Sequence, residues 1–167
     1  MRSFLLFLFG FVFFSFLLGQ DQKTDFSGTW NLDESKSEMG DSPGGRGRRM
    51  AIHKMNVTQE DNKLTVESFR TNRDGEEIST TDVYTLDGKK CENNSENRTS
   101  VSTADWEEKG KSLLIITKMT FSRGDRSFTM DSETTWSIAE GNLILDSVRS
   151  TPRGEMKSKL VYTKEAK

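Results

Sequence analysis

The chain has 167 residues, with 24 basic and 26 acidic side chains, a net charge of −2 at neutral pH, one histidine and one cysteine. Charges of both signs alternate along it without forming a basic stripe, which argues against a nucleic-acid partner. A lone cysteine excludes an internal disulfide framework, so stability has to come from strand pairing and packing.

The first elements fix the compartment. Met1-Arg2-Ser3 is short and basic, residues 4–18 are apolar apart from Gly10 and Ser15, and Gly19-Gln20-Asp21 turns abruptly polar. These are the parts of a secretory signal peptide. The apolar run is fifteen residues, shorter than the roughly 20 needed to cross a bilayer as a helix. Leu17, at position −3 of a cut after Gly19, is larger than the small residue usual there. Residues 1–19 are therefore read as the signal peptide and 20–167 as one exported domain, periplasmic or extracellular and without a transmembrane segment. The alternative is an uncleaved N-terminal anchor. Cys91 lies too far downstream to carry the lipid of a cysteine-anchored lipoprotein. Its polar setting, Lys89-Lys90-Cys91-Glu92, marks it as a solvent-exposed residue. Seven of the eleven phenylalanines leave with the leader, so the core must draw on Trp30, Trp106, Trp136 and scattered aliphatics. Polar interior positions are expected.

Beyond the leader, turn signals recur about every ten residues, with alternating segments between them, the pattern of hairpin-linked antiparallel strands. In the first, Phe26, Gly28, Trp30 and Leu32 share a face. Residues 34–49, with Pro43-Gly44-Gly45-Arg46-Gly47, form a flexible loop. A second strand spans about 50–59. A third carries Leu64, Val66 and Ser68 on one face, and a fourth Ile78, Thr80, Asp82, Tyr84 and Leu86. Residues 89–98 are too polar to assign and have room for a bulge or a short edge strand. Further strands cover 99–107, 113–121, 128–138, 143–147 and 156–162. No segment places apolar residues at helical spacing over three turns.

Residues 63–76 and 142–155 echo each other in register: Leu64 with Leu143, Val66 with Leu145, Ser68 with Ser147, Arg70 with Arg149 and Gly75 with Gly154. Each copy is a hairpin with a glycine turn, and repeated hairpins build meanders. The fold class is all-β, an antiparallel up-and-down meander of 8–10 strands closing into a barrel that hides its edges. Nine strands are countable; an odd number would bring the first and last together in parallel.

Phe26-Ser27-Gly28-Thr29-Trp30-Asn31-Leu32 resembles the Gly-x-Trp signature on the first strand of calycin-type barrels, the lipocalins and fatty-acid-binding proteins. That resemblance implies a lipocalin-like barrel in which Trp30 plugs the closed end and Gly28 admits a neighbouring backbone. Thr81-Asp82-Val83-Tyr84 is similar to the second lipocalin motif. Gly141-Asn142-Leu143-Ile144-Leu145 and Tyr162-Thr163-Lys164-Glu165-Ala166 resemble the closing hairpin of fatty-acid-binding proteins. In layout the chain is most similar to secreted bacterial lipocalin-like domains of uncharacterised role. Two departures stand out. Residues 34–49 are too rich in Gly and Arg for the two-helix lid of fatty-acid-binding proteins. Leu160 occupies the place of the arginine that grips their ligand's carboxylate, so only Tyr162 of that pair carries over.

No catalytic constellation or cofactor motif emerges. His53, the sole candidate general base, has no cysteine or paired carboxylate near it in sequence. No zinc or EF-hand spacing is present, and the Gly-rich loop lacks the ending of a phosphate loop. Three Asn-x-Ser/Thr triplets, at Asn56, Asn93 and Asn97, are chance-level in a chain this rich in Asn and Thr. Arg70 and Arg149 share the parity of the inward-facing residues before them. With Tyr84 and Tyr162 they could bind an anionic group through charge-assisted hydrogen bonds, although strand-end arginines beside turns also suit solvent. The function expected is non-enzymatic binding of a small amphipathic or anionic ligand; the alternative is an interaction module with a filled barrel. An outer-membrane barrel is disfavoured because Thr65, Glu67, Lys118, Lys157 and Lys159 would face lipid.

Overall fold

The computed structural model describes residues 23–40, 51–72, 74–151 and 154–166. The signal peptide (1–19) and most of the loop expected at 34–49 lie outside the described residues. Ten strands follow in chain order: β1 (Gly28–Leu32), β2 (Lys54–Glu60), β3 (Lys63–Thr71), β4 (Glu77–Thr85), β5 (Cys91–Ser95), β6 (Arg98–Glu107), β7 (Ser112–Arg123), β8 (Arg126–Ala139), β9 (Asn142–Thr151) and β10 (Gly154–Lys164). One 3-10 turn, Glu108–Gly110, links β6 to β7. All ten strands form one sheet in the order β4-β3-β2-β1-β10-β9-β8-β7-β6-β5.

The extra strand is β5, within the segment too polar to assign from sequence. It pairs with β6 through Cys91↔Ser102, Asn93↔Ser100 and Ser95↔Arg98. Half of an edge strand's side chains face water, so its apolar signal is weak. With ten strands the parity problem disappears: β1 lies antiparallel to β10, with Leu32 opposite Tyr162. Two further expectations are corrected. β2 begins at Lys54, leaving His53 just before the strand. Cys91 is half-buried, its thiol donating to the Ser102 carbonyl at 3.3 Å.

The alternation read from the sequence sets the two faces. Leu64, Val66, Leu113, Ile115, Leu143 and Leu145 are buried inside, while Lys118, Lys157 and Lys159 are exposed on the outer wall. The two hairpins of the internal echo differ at their turns: β3 and β4 pair from Thr71↔Glu77 and β9 and β10 from Thr151↔Gly154, so the registers differ by one residue, although both carry a positive-φ glycine, Gly75 at φ +87° and Gly154 at φ +120°.

The apolar residues concentrate at one end, where 23–27 crosses the barrel mouth and plugs it. Thr24 N–H donates to the Gly110 carbonyl at 2.8 Å, Gln59 Nε2 donates to the Thr24 carbonyl at 3.0 Å, and Phe26 N–H donates to Gln59 Oε1 at 3.2 Å. These bonds seat Phe26, fully buried, in an aromatic floor. Its ring stacks on Trp106 at 5.9 Å and meets Trp136 edge-on at 5.8 Å. Trp30 completes the floor, its indole N–H donating to the Phe26 carbonyl at 2.8 Å, with the Lys164 ammonium 5.2 Å from its ring centroid. Burying each such side chain contributes about 1.5–3 kcal/mol.

After β1 the chain makes a polar turn where fatty-acid-binding proteins insert their helical lid. Asp33 Oδ1 accepts from the Ser35 hydroxyl at 2.6 Å, and Ser37 Oγ donates to the Asp33 carbonyl at 2.7 Å. Glu38 then resumes pairing with Lys159 of β10 through bonds of 2.7 and 2.8 Å.

Candidate functional site

Strand parity defines the inner wall above the aromatic floor. Moving along β9 from the closed end, inward positions run Leu143, Leu145, Ser147, Arg149; along β3 they run Leu64, Val66, Ser68, Arg70. The wall changes from aliphatic to hydroxyl to guanidinium on both strands. Neighbouring strands repeat the hydroxyl level. Ser102 and Thr117 share a hydrogen bond of 2.9 Å, and Thr134 and Ser147 one of 3.0 Å. Ser102 and Thr117 are 2% and 8% exposed, so these hydroxyls are interior groups. This belt was legible only as a general expectation of polar interior positions. Serines and threonines spaced two apart, in phase with buried leucines, were the available signal.

The four expected ligand residues occupy two levels. Arg70, half-buried opposite Ile78, and Arg149, exposed opposite Met156, lie towards the open end. Tyr162 and Tyr84 lie opposite Leu143 and Leu64 respectively, towards the floor. Along each strand six residues separate arginine and tyrosine levels, on the order of 20 Å of backbone. Burial raises the Tyr162 phenol above its ordinary range, and the Arg149 charge acts against that rise. Tyr162 Oη donates to the Ile52 carbonyl at 3.0 Å, tying β10 to the segment before β2.

Tyr84 belongs to a different feature, the seam between β4 and β5. These strands end the sheet order and share no ladder, and side chains join them instead. The Asn93 carboxamide imitates a peptide group: Oδ1 accepts from Val83 N–H at 2.8 Å, and Nδ2 donates to the Val83 carbonyl at 3.0 Å. Arg98 of β6 reaches across to pair with Asp82 of β4, both side chains largely covered. Burial first, and then the Asp82 charge, raise the Tyr84 phenol, while Arg98 opposes the rise. Sequence reasoning placed Asp82 and Tyr84 on one face but missed both seam contacts, since nothing local links residues 82–83 to 93–98.

At the open rim Phe121 and Phe128 stack at 4.8 Å, and Phe128 is 56% exposed. Gly28, at φ +146°, occupies backbone that disfavours side chains, and a Cβ there would meet the Lys164 side chain at 2.5 Å. His53 has a carboxylate partner that sequence proximity did not reveal, Glu77 Oε2 at 2.8 Å from Nε2. Among the described residues, no three or more His, Cys, Asp or Glu are grouped to hold a metal ion, and no helix is long and apolar enough to cross a membrane. A cleft of about 620 Å³ lies against the outer wall, lined chiefly by outward residues such as Leu114, Glu133, Asp146 and Lys159, with Glu38 and Gly40.

No family model matches the chain, and no curated protein is similar enough in sequence to match. Solved structures do match. Zebrafish ileal bile acid-binding protein, complexed with cholic acid, superposes with a TM-score of 0.53 at 15% identity, covering 84% of this chain and 98% of that one. Fatty-acid-binding protein 1 of Echinococcus granulosus gives 0.50 at 17% identity, with the same coverage. The chain shares with these proteins the fold expected from its sequence, an antiparallel up-and-down β-barrel.

Proposed function

We propose that the chain is an exported, non-enzymatic barrel that binds a small amphipathic, anionic ligand through its open end. The observation that carries this reading is the graded inner wall, in which a sealed aromatic floor gives way to buried hydroxyls and then to the inward-parity arginines Arg70 and Arg149. Apolar enclosure with a few convergent polar groups is the usual composition of a small-molecule site. Guanidinium groups suit carboxylate or phosphate. The fold neighbours, a bile acid-binding and a fatty-acid-binding protein, support a lipid-like ligand. Export rests on the character of residues 1–19.

The test is solvent extraction and mass spectrometry of the purified protein, with an Arg70→Ala/Arg149→Ala double variant alongside. A small anionic molecule recovered from the wild type and lost from the variant is the expected result. An empty wild type that also binds no added amphiphile refutes the reading. The intact mass of protein from the exported fraction should place the mature N-terminus at Gln20. A second reading, a protein-interaction module, is favoured by one feature, the cleft on the outer wall with its mixed Glu133, Asp146 and Lys159 charges.

A further inference from the structure

The hydroxyl level lies on the inner wall between the aliphatic and the guanidinium levels. Ser102–Thr117 and Thr134–Ser147 are hydroxyl–hydroxyl pairs at 2.9 and 3.0 Å. Ser158 stands opposite Ser147, and the Ser100 hydroxyl, 3% exposed, donates to the Asn93 carbonyl at 3.3 Å. A hydroxyl offers one proton and two lone pairs. A pair of them consumes one proton, leaving one donor and several acceptor sites per pair without a protein partner. A straight alkyl chain against this belt would leave those groups unmet in a water-poor interior. A ligand with its own hydroxyl or carbonyl groups would meet them. A site built to hydrogen-bond a ligand discriminates strongly against the analogue that lacks the group.

The order of chemistry along the barrel adds to this. Arg149 follows Ser147 at the next inward position of β9 and stands opposite Ser132, so the cationic level borders the belt directly. Beyond it the rim is apolar, with Met119 opposite Met130 and Phe121 opposite Phe128. We infer that the barrel selects a compact amphiphile carrying several hydroxyl or carbonyl groups along its body, together with an anionic end, over a straight-chain acid. The inference rests on the proposed function above and specifies the ligand class of that same site.

Calorimetric titration of purified, delipidated protein with cholate, deoxycholate, lithocholate and palmitate, each as monomer, tests it. The first three share a skeleton and lose hydroxyls in that order. Affinity should rise with hydroxyl number, with cholate at least about tenfold tighter than lithocholate or palmitate, the equivalent of one well-made hydrogen bond or more. The Ser102→Ala/Thr117→Val variant should lose that order while keeping affinity for palmitate. Palmitate or lithocholate binding as tightly as cholate overturns hydroxyl selection but leaves a ligand-binding barrel. Unchanged selectivity in the variant removes the belt as its source. Absence of binding by all four ligands to folded protein refutes the barrel reading and the inference together. Thr134→Val/Ser147→Ala makes the same comparison on the adjacent strand pair if the first variant does not fold.

Discussion

The seam gives a sharp prediction because one side chain carries two backbone partners. In Asn93→Ala both Val83 N–H and Val83 C=O lose the carboxamide that pairs them at 2.8 and 3.0 Å in a half-buried position. Each hydrogen bond is worth about 0.5–1.5 kcal/mol net, more when the orphaned group stays desolvated. The variant should therefore be about 1–3 kcal/mol less stable in urea. The same energy should appear locally as hydrogen exchange at the Val83 amide faster by roughly ten- to a hundredfold. Asn93→Asp separates the two bonds: its carboxylate still accepts from Val83 N–H but cannot donate to the carbonyl. It also places a charge near Asp82, which Arg98 already neutralises. Its global loss should match or exceed that of the alanine variant, while Val83 keeps most of its amide protection. Wild-type exchange at Val83 in Asn93→Ala would show that β4 and β5 are held by packing or by Asp82–Arg98, and the carboxamide account would be wrong.

Two further outcomes follow from the core. Phe26→Ala removes a fully buried ring that contacts both Trp106 and Trp136, and should lower stability by about 3–5 kcal/mol, read from the urea midpoint at unchanged m-value. The phenols of Tyr84 and Tyr162 are raised above 10 by burial, so above that pH the unfolded chain releases protons that the folded chain retains. Stability from this source is complete below pH 10 and falls as the pH rises further. Tyr162→Phe should flatten that alkaline loss in a pH-melting series, at the expense of about 1 kcal/mol at neutral pH from the lost bond to Ile52.

Much of the architecture was legible because a β-strand's period of two is written directly in its side chains. Leu64/Val66 and Leu143/Leu145 announced the inward face, and the glycine turns announced the hairpins. β5 escaped because Cys-Glu-Asn-Asn-Ser has almost no apolar member; its place depends on pairing with β6 and on Asn93 reaching Val83. His53–Glu77 and Asp82–Arg98 were invisible for a related reason. Each joins residues far apart in sequence: His53 meets Glu77 across β3 through the pairing of β2, β3 and β4, and Asp82 meets Arg98 where the barrel closes. The second strand begins at Lys54, later than expected, and the Ile52 carbonyl before it accepts from Tyr162.

The distribution of apolar side chains links stability to the proposed role. With few large residues available, the chain spends them on the floor, where Trp30, Phe26, Leu64, Leu113 and Leu143 are all 2% exposed or less. The level above is hydroxylic, although Val and Ala would fit the same spaces. Replacing both members of a hydrogen-bonded pair with apolar groups of the same shape is nearly neutral or stabilising. Ser102→Ala/Thr117→Val should therefore hold its urea midpoint or gain up to about 1 kcal/mol, while losing preference for hydroxylated ligands. Hydroxyls retained for binding predict this opposition of stability and selectivity. A loss of about 2 kcal/mol or more, comparable to leaving a buried donor unmet, would instead make the pair a structural bond and remove the reason to read the belt as a recognition surface.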